Sequence, residues 1–133
     1  MSQKHILAVD DDESFLKTIA RILQLEGFRV ETARTGKEAI EKSNSNSYNL
    51  ALIDLRLPDM DGTDLLTTMR ETTPRMIKIM LTGYGSTGDE GEEIRKHADG
   101  YLVKPIEIED LLRTIKMHLE KQENTVQGAS IVT

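Results

Sequence analysis

A chain of 133 residues with 38% hydrophobic content has the material for one ordinary core, and a second folded unit is not expected. The lack of cysteine excludes a disulfide framework and a thiolate metal site, and it suits a reducing cytoplasm. A net charge of −6, with no basic block and no interleaving of aromatic and basic residues, argues against broad contact with nucleic-acid phosphates. The apolar run before Asp10, Asp11 and Asp12 is too short for a signal peptide or a membrane span, so a soluble protein is expected.

Along the chain, short β-rich apolar runs alternate with helix-period segments, the pattern of a parallel sheet covered on both faces. His5–Val9 reads as the first strand. Glu13–Glu26 follows as a helix with Phe15, Ile19, Ile22 and Leu23 on one stripe, closed by Gly27. Phe28–Ala33 is the second strand. Thr35 and Glu38 form a capping-box pair that opens a short helix through about Ser43, with the polar run 43–47 as its exit. Leu50–Asp54, the third strand, is apolar until its last residue. Pro58 ends any extended run, Thr63–Arg70 is the third helix, and Pro74 breaks it.

Met76–Thr82 is the fourth strand, and the helix after it, roughly 87–97, is weakened by Gly88 and Gly91. Tyr101–Lys104 is the fifth strand. Ile108, Leu111, Leu112, Ile115 and Leu119 then form an apolar stripe on the last helix. The pattern stops near Lys121, and residues 122–133 are expected to be a flexible tail or the start of a linker.

Open α/β sheets hold ligands beyond the carboxyl ends of their strands. Asp10 and Asp11 end strand one, Asp54 strand three, Thr82 strand four and Lys104 strand five, so all five share one edge. Three carboxylates, a hydroxyl and an ammonium there suit a hard divalent cation and a phosphoryl group, and oxygen ligands point to Mg2+. Any single strand-end aspartate can instead cap a helix, and Asp12 is read that way. The full set is harder to explain so, because like charges gathered together are costly without a cation.

With those residues placed, the stretches ILAVDDDES, LALIDLRLPDMDG, IMLTGYG and YLVKP resemble the receiver domain of two-component response regulators, over residues 4 to about 121. The resemblance implies a flavodoxin-like fold with strand order 2-1-3-4-5. Asp54 matches the phosphoacceptor, and Asp10 and Asp11 match the acidic pair that holds Mg2+ (or Mn2+). The backbone carbonyl of Arg56 matches a further metal ligand. Thr82 matches the switch hydroxyl, Lys104 the phosphate-binding lysine, and Tyr101 the aromatic that changes rotamer on activation. Lys104-Pro105 matches a pair that is usually cis.

The same resemblance implies a sensor histidine kinase or histidine phosphotransfer protein as phosphodonor. It also implies a surface of fourth helix, fifth strand and fifth helix that changes to control an output domain or target, with homodimerisation on phosphorylation as one form of that control. No direct nucleic-acid contact and no membrane partner are expected from the charge and the short apolar run, and no turnover enzyme is expected beyond self-phosphorylation and dephosphorylation. Arg56 and Tyr84 occupy positions that tune hydrolysis in the family. Arg56 offers donors only and Tyr84 is bulky, so a phosphoryl group lasting minutes to hours is expected. The competing class is a degenerate receiver that acts as an unphosphorylated interaction module.

Two decoys fail on position. DMDGT, Asp59 to Thr63, resembles a dehalogenase-type nucleophile motif, but Asp59 lies past Pro58 rather than at the end of a buried strand. GYGSTG, Gly83 to Gly88, fits a dinucleotide fingerprint, but only one strand follows it. Gly62 is expected to lend backbone freedom to the turn after Asp59, and the KHADG stretch, 96–100, departs from the usual family pattern. His5, His97 and His118 share no ligand spacing and are expected at solvated or edge positions, with the six methionines as core filler.

Overall fold

Strands that are apolar without alternation need cover on both faces, and the computed structural model gives it to them. The structure describes residues 3–83 and 89–132, with side chains at all of these but 89, 90, 93 and 124–132. Five strands alternate with five helices: β1 (His5–Val9), α1 (Glu13–Leu25), β2 (Arg29–Ala33), α2 (Gly36–Ser45), β3 (Leu50–Asp54), α3 (Gly62–Thr72), β4 (Ile77–Thr82), α4 (Asp89–His97), β5 (Gly100–Val103) and α5 (Ile108–Val132). The sheet is parallel throughout, in the order β2-β1-β3-β4-β5.

Side-chain alternation along each strand divides the core in two. Leu7, Val9, Ala51, Ile53 and Met80 face α2, α3 and α4, where they meet Ala39, Leu65, Leu66, Met69 and Ile94. Ile6, Ala8, Leu50, Leu52, Ile79 and Leu81 face α1 and α5, where they meet Leu16, Ile19, Leu23, Leu111, Ile115 and Leu119. Among the methionines, Met69, Met76 and Met80 fill the core, but Met117 is exposed. No helix among the described residues is long and apolar enough to cross a membrane.

Element ends shift by a residue or two from the sequence expectation, each for a local reason. Gly27 takes φ +95°, open to a residue without Cβ, and the Phe28 N–H returns to the Leu23 carbonyl at 3.0 Å. Phe28 therefore closes α1 instead of opening β2. Met76 similarly donates to the Thr73 carbonyl in a turn, so β4 begins at Ile77. Lys104 lies one residue past β5, although its N–H still reaches the Thr82 carbonyl at 2.6 Å. In the KHADG stretch, Asp99 N–H donates to the Lys78 carbonyl and its Oδ2 accepts from the Lys78 N–H, both at 2.8 Å. That reciprocal pair sets where β5 begins.

The largest difference is at the C-terminus. The expected tail from residue 122 is helical as far as Val132, so the backbone is not irregular there. The segment contains no proline, and extending a formed helix costs far less than starting one. The apolar stripe nevertheless ends at Leu119, and Gln122 makes the last described tie to the body, donating to the Arg75 carbonyl at 2.9 Å. A chain cut after Glu123 is therefore expected to keep the urea midpoint of the 133-residue chain. Replacing Ile115 by Ala, at a fully buried position, is expected to cost about 2–5 kcal/mol in the same measurement.

Candidate functional site

The carboxyl ends of β1, β3 and β5 bring three groups together on the face that α1 and α5 cover. Lys104 Nζ donates to Asp10 Oδ2 at 2.8 Å and to Asp54 Oδ1 at 2.9 Å. Asp10 and Asp54 are both buried, at 1% and 7% exposure, whereas Asp11 is exposed. Burial pushes the Asp54 carboxyl above its ordinary range, the Lys104 hydrogen bond works against that, and the charge of Asp10 adds to the rise. For Lys104, burial works downward, but the hydrogen bonds to Asp10 and Asp54 outweigh it and the amine is held above its usual value. One ammonium thus serves two buried carboxylates, and the pocket has negative charge to spare.

That surplus suits a cation. Asp10, Asp11 and Asp54 each offer a carboxylate oxygen, and the three oxygens lie within 4.8 Å of one another. They form an all-oxygen donor set of the kind Mg2+ and Mn2+ prefer, with sides left over for water and phosphate. Among the described residues no other cluster of three such side chains occurs, so the residues fit the ion that the sequence implies.

The surrounding turns hold these carboxylates in place. The Asp12 N–H donates to Asp10 Oδ1 at 3.0 Å, and Asp12 Oδ1 accepts from the Phe15 N–H at 3.1 Å, which makes Asp12 the N-cap of α1 as expected. Phe15 was expected only on the apolar stripe of α1. It does pack at the rim of that core, but its ring also lies beneath the Lys104 ammonium, 4.8 Å from centroid to Nζ. No sequence pattern announces this, because residues 89 positions apart meet only through the fold.

Gly62 is needed for room, not for backbone freedom, which corrects the expectation. Its φ is not positive, but a Cβ there would sit 2.2 Å from the Asp54 carbonyl oxygen. The start of α3 is thereby pressed against the end of β3, where the Gly62 N–H donates to the Leu55 carbonyl at 2.7 Å.

Thr82 is buried at the end of β4, and its hydroxyl donates to the Leu102 carbonyl at 3.4 Å. It shares an alternation parity with Met80 on the other face of the sheet, so it neighbours Lys104 through backbone, not through its side chain. Arg56 is exposed, its backbone N–H donates toward Asp54, and its guanidinium lies 3.8 Å from Asp61 Oδ1. Tyr101 points outward from β5, 57% exposed, and the Lys104-Pro105 peptide is cis. Tyr84 lies outside the described residues, as do positions 84–88 of the GYGSTG stretch.

Asp59 has a different task. Its Oδ1 accepts from the Gly36 N–H at 2.8 Å and its Oδ2 from the Lys37 N–H at 2.9 Å, so it caps α2 from the neighbouring loop. It stands exposed on the loop beyond β3, not at the end of a buried strand. The histidines are also structural. His5 is more buried than expected, its Nε2 2.8 Å from Glu31 Oε2 and its ring 4.4 Å from that of Tyr48. His118 lies between the carbonyls of Thr114 and Asp99, and His97 meets Arg70.

Comparison with known proteins gives the family and the fold. The family model described as "Response regulator receiver domain" matches residues 6–116. The acid tolerance regulatory protein ActR of Rhizobium meliloti is 37% identical over 112 residues, which is 84% of this chain and 58% of that protein. The transcriptional regulatory protein SrrA of Staphylococcus aureus is 35% identical over 120 residues, 90% of this chain and 49% of that one. The chain thus spans about half the length of the curated relatives it matches. A CheY-like response regulator receiver domain protein from Methanospirillum hungatei superposes with a TM-score of 0.90 at 42% identity, covering 93% of this chain and 99% of that one. NtrX from Brucella abortus, solved with ADP, gives a TM-score of 0.89 at 25% identity over 98% of this chain and 30% of that chain.

The two backbone N–H groups that Asp59 accepts hold its carboxyl below the usual carboxylate range. A lowered folded value contributes stability that is present above the unfolded value and is lost as pH falls through the folded one. Asp59→Ala is therefore expected to melt below the parent at pH 7. The gap should close as the pH drops below the carboxylate range, as followed by circular dichroism.

Proposed function

The chain belongs to the response regulator receiver domain family of two-component signalling, and from that premise we propose that it is a phosphoacceptor switch in which Asp54 takes a phosphoryl group from a partner's phosphohistidine. One observation carries this reading: a single ammonium, Lys104, joins Asp54 to Asp10 at a strand edge where Asp11 also stands.

An Asp54 carboxylate oxygen attacks phosphorus, a new O–P bond forms, the P–N bond to the donor imidazole breaks, and the imidazole leaves with the bonding pair. Positioning and charge neutralisation supply most of the catalysis in such transfers. A divalent cation, Mg2+ or Mn2+, would supply positive charge to the phosphoryl oxygens when held by Asp10, Asp11, Asp54 and the Arg56 carbonyl. Lys104 exchanges its carboxylate contact for a phosphoryl oxygen, so the charge it balances stays in place. The product remains on the protein, which is therefore a switch and not a turnover enzyme.

The response begins at Thr82. Its hydroxyl makes only a long bond to the Leu102 carbonyl, which a charged phosphoryl oxygen would readily displace. Movement of Thr82 vacates space toward β5, which Tyr101 fills by turning inward. The surface of α4, β5 and α5 then presents a new shape to an output domain or target, or to a second copy of the chain. The shift is limited to the difference in phosphate contacts between the two states. A sensor histidine kinase or phosphotransfer protein as donor, and action in the cytoplasm, accord with the family and with a chain free of cysteine.

Persistence of the signal depends on the side chains near the acyl phosphate. Arg56 has no acceptor for a water proton, and together with Tyr84 it favours a state that lasts minutes to hours.

With acetyl phosphate as donor, labelling is expected in the parent, absent in Asp54→Asn, and largely intact in Asp59→Asn. It should fail in excess chelator and in Asp11→Ala, and equal labelling with and without chelator would exclude the cation from the reaction. Phosphate release from purified phosphoprotein is expected to be several-fold faster in an Arg56→Asn, Tyr84→Glu double variant. An unchanged rate would remove both residues from the control of lifetime.

A further inference from the structure

Lysine carries its charge on a flexible four-carbon stem, so a lysine that serves a reaction needs something to aim it. Lys104 has three N–H donors, of which two go to Asp10 and Asp54. Its remaining neighbour among the described contacts is a ring face, with Phe15 4.8 Å from Nζ to centroid. The ring's place is itself fixed. Phe15 stands in the first turn of α1, its backbone N–H is held by the Asp12 cap, and it packs partly buried against the core shared by α1 and α5.

We infer that Phe15 is a positioning residue for the transfer proposed above: its ring face holds the Lys104 ammonium over the Asp54 carboxylate and keeps it aimed as the phosphoryl group arrives. The inference rests on that reading of Asp54 and adds a residue to it. An aromatic face attracts a cation through its quadrupole yet offers no lone pair to compete with carboxylate or phosphate oxygens. The ammonium can therefore slide from Asp54 toward a phosphoryl oxygen without breaking a hydrogen bond to the ring. A leucine of similar bulk would fill the rim of the core equally well but would leave the charge unsupported. Aromatic character, not volume, is the property that matters.

The test compares the 133-residue parent with Phe15→Tyr, Phe15→Leu and a protein carrying 3,4,5-trifluorophenylalanine at position 15, which keeps the ring's shape and removes its negative face. The initial rate of Asp54 labelling by acetyl phosphate is measured at fixed Mg2+, alongside Mn2+ affinity by calorimetry and the thermal midpoint. Phe15→Tyr is expected to label at the parent rate, with the trifluoro and leucine proteins about three- to tenfold slower. Mn2+ affinity and the melting point of the trifluoro protein should match the parent, because Phe15 touches the ammonium and not the carboxylates. Equal labelling rates in the parent and trifluoro proteins would overturn the inference. So would a slowing matched by equal losses of Mn2+ affinity and melting temperature, since that is the signature of a packing role. A parent that takes no label on Asp54 would overturn the proposed function itself, and the role of Phe15 with it.

Discussion

The bridge from Lys104 to Asp10 and Asp54 is the constraint on which the rest of the site depends. Removing ions from water is expensive, and a buried ion pair seldom returns the cost as stability. Here the imbalance is larger than in a simple pair, because one ammonium faces two buried carboxylates with the exposed Asp11 beside them. Such a pocket is electrostatically unfinished. It gains from added positive charge.

A pocket of that kind needs a stiff frame, and the fold provides one. β3 is central in the sheet and buried along its whole length, so Asp54 is presented from a strand paired on both sides. Around it, the chain ends are pinned by polar groups. Asp12 caps α1, Asp59 ties the loop after β3 to the start of α2, and Gly62 lets α3 approach the Asp54 backbone closely. Four of the acidic residues near the site thus have separate tasks: Asp10 and Asp54 bind Lys104, while Asp12 and Asp59 hold helix starts. Composition alone does not separate them, but their hydrogen-bond partners do.

The rigid frame contrasts with the parts that the proposed switch would move. Thr82 ends β4 on the opposite alternation parity, tied by a long bond to β5, and Tyr101 stands outside the sheet edge. In the proposed switch, a small gain in contacts at one side would be relayed to the α4, β5 and α5 surface without disturbing the core between β1 and β3.

Much of this was legible in the residues themselves. Apolar runs such as Leu50–Ile53 announce strands covered on both faces, the stripe of Leu111, Ile115 and Leu119 announces a helix, and polar residues at the ends of four of the five strands mark the candidate functional edge. These features are local and periodic, and backbone geometry converts them directly into position. What only the tertiary structure decided is where distant segments touch. The meeting of Phe15 with Lys104, the use of Asp59 as a cap for another segment's helix, and the closeness that makes Gly62 necessary all depend on separate chain stretches arriving at one point. So does the placing of the Thr82 hydroxyl against the Leu102 carbonyl of the neighbouring strand. Periodicity encodes which face a residue occupies; contact across the fold is settled by packing, and no single stretch of sequence contains it.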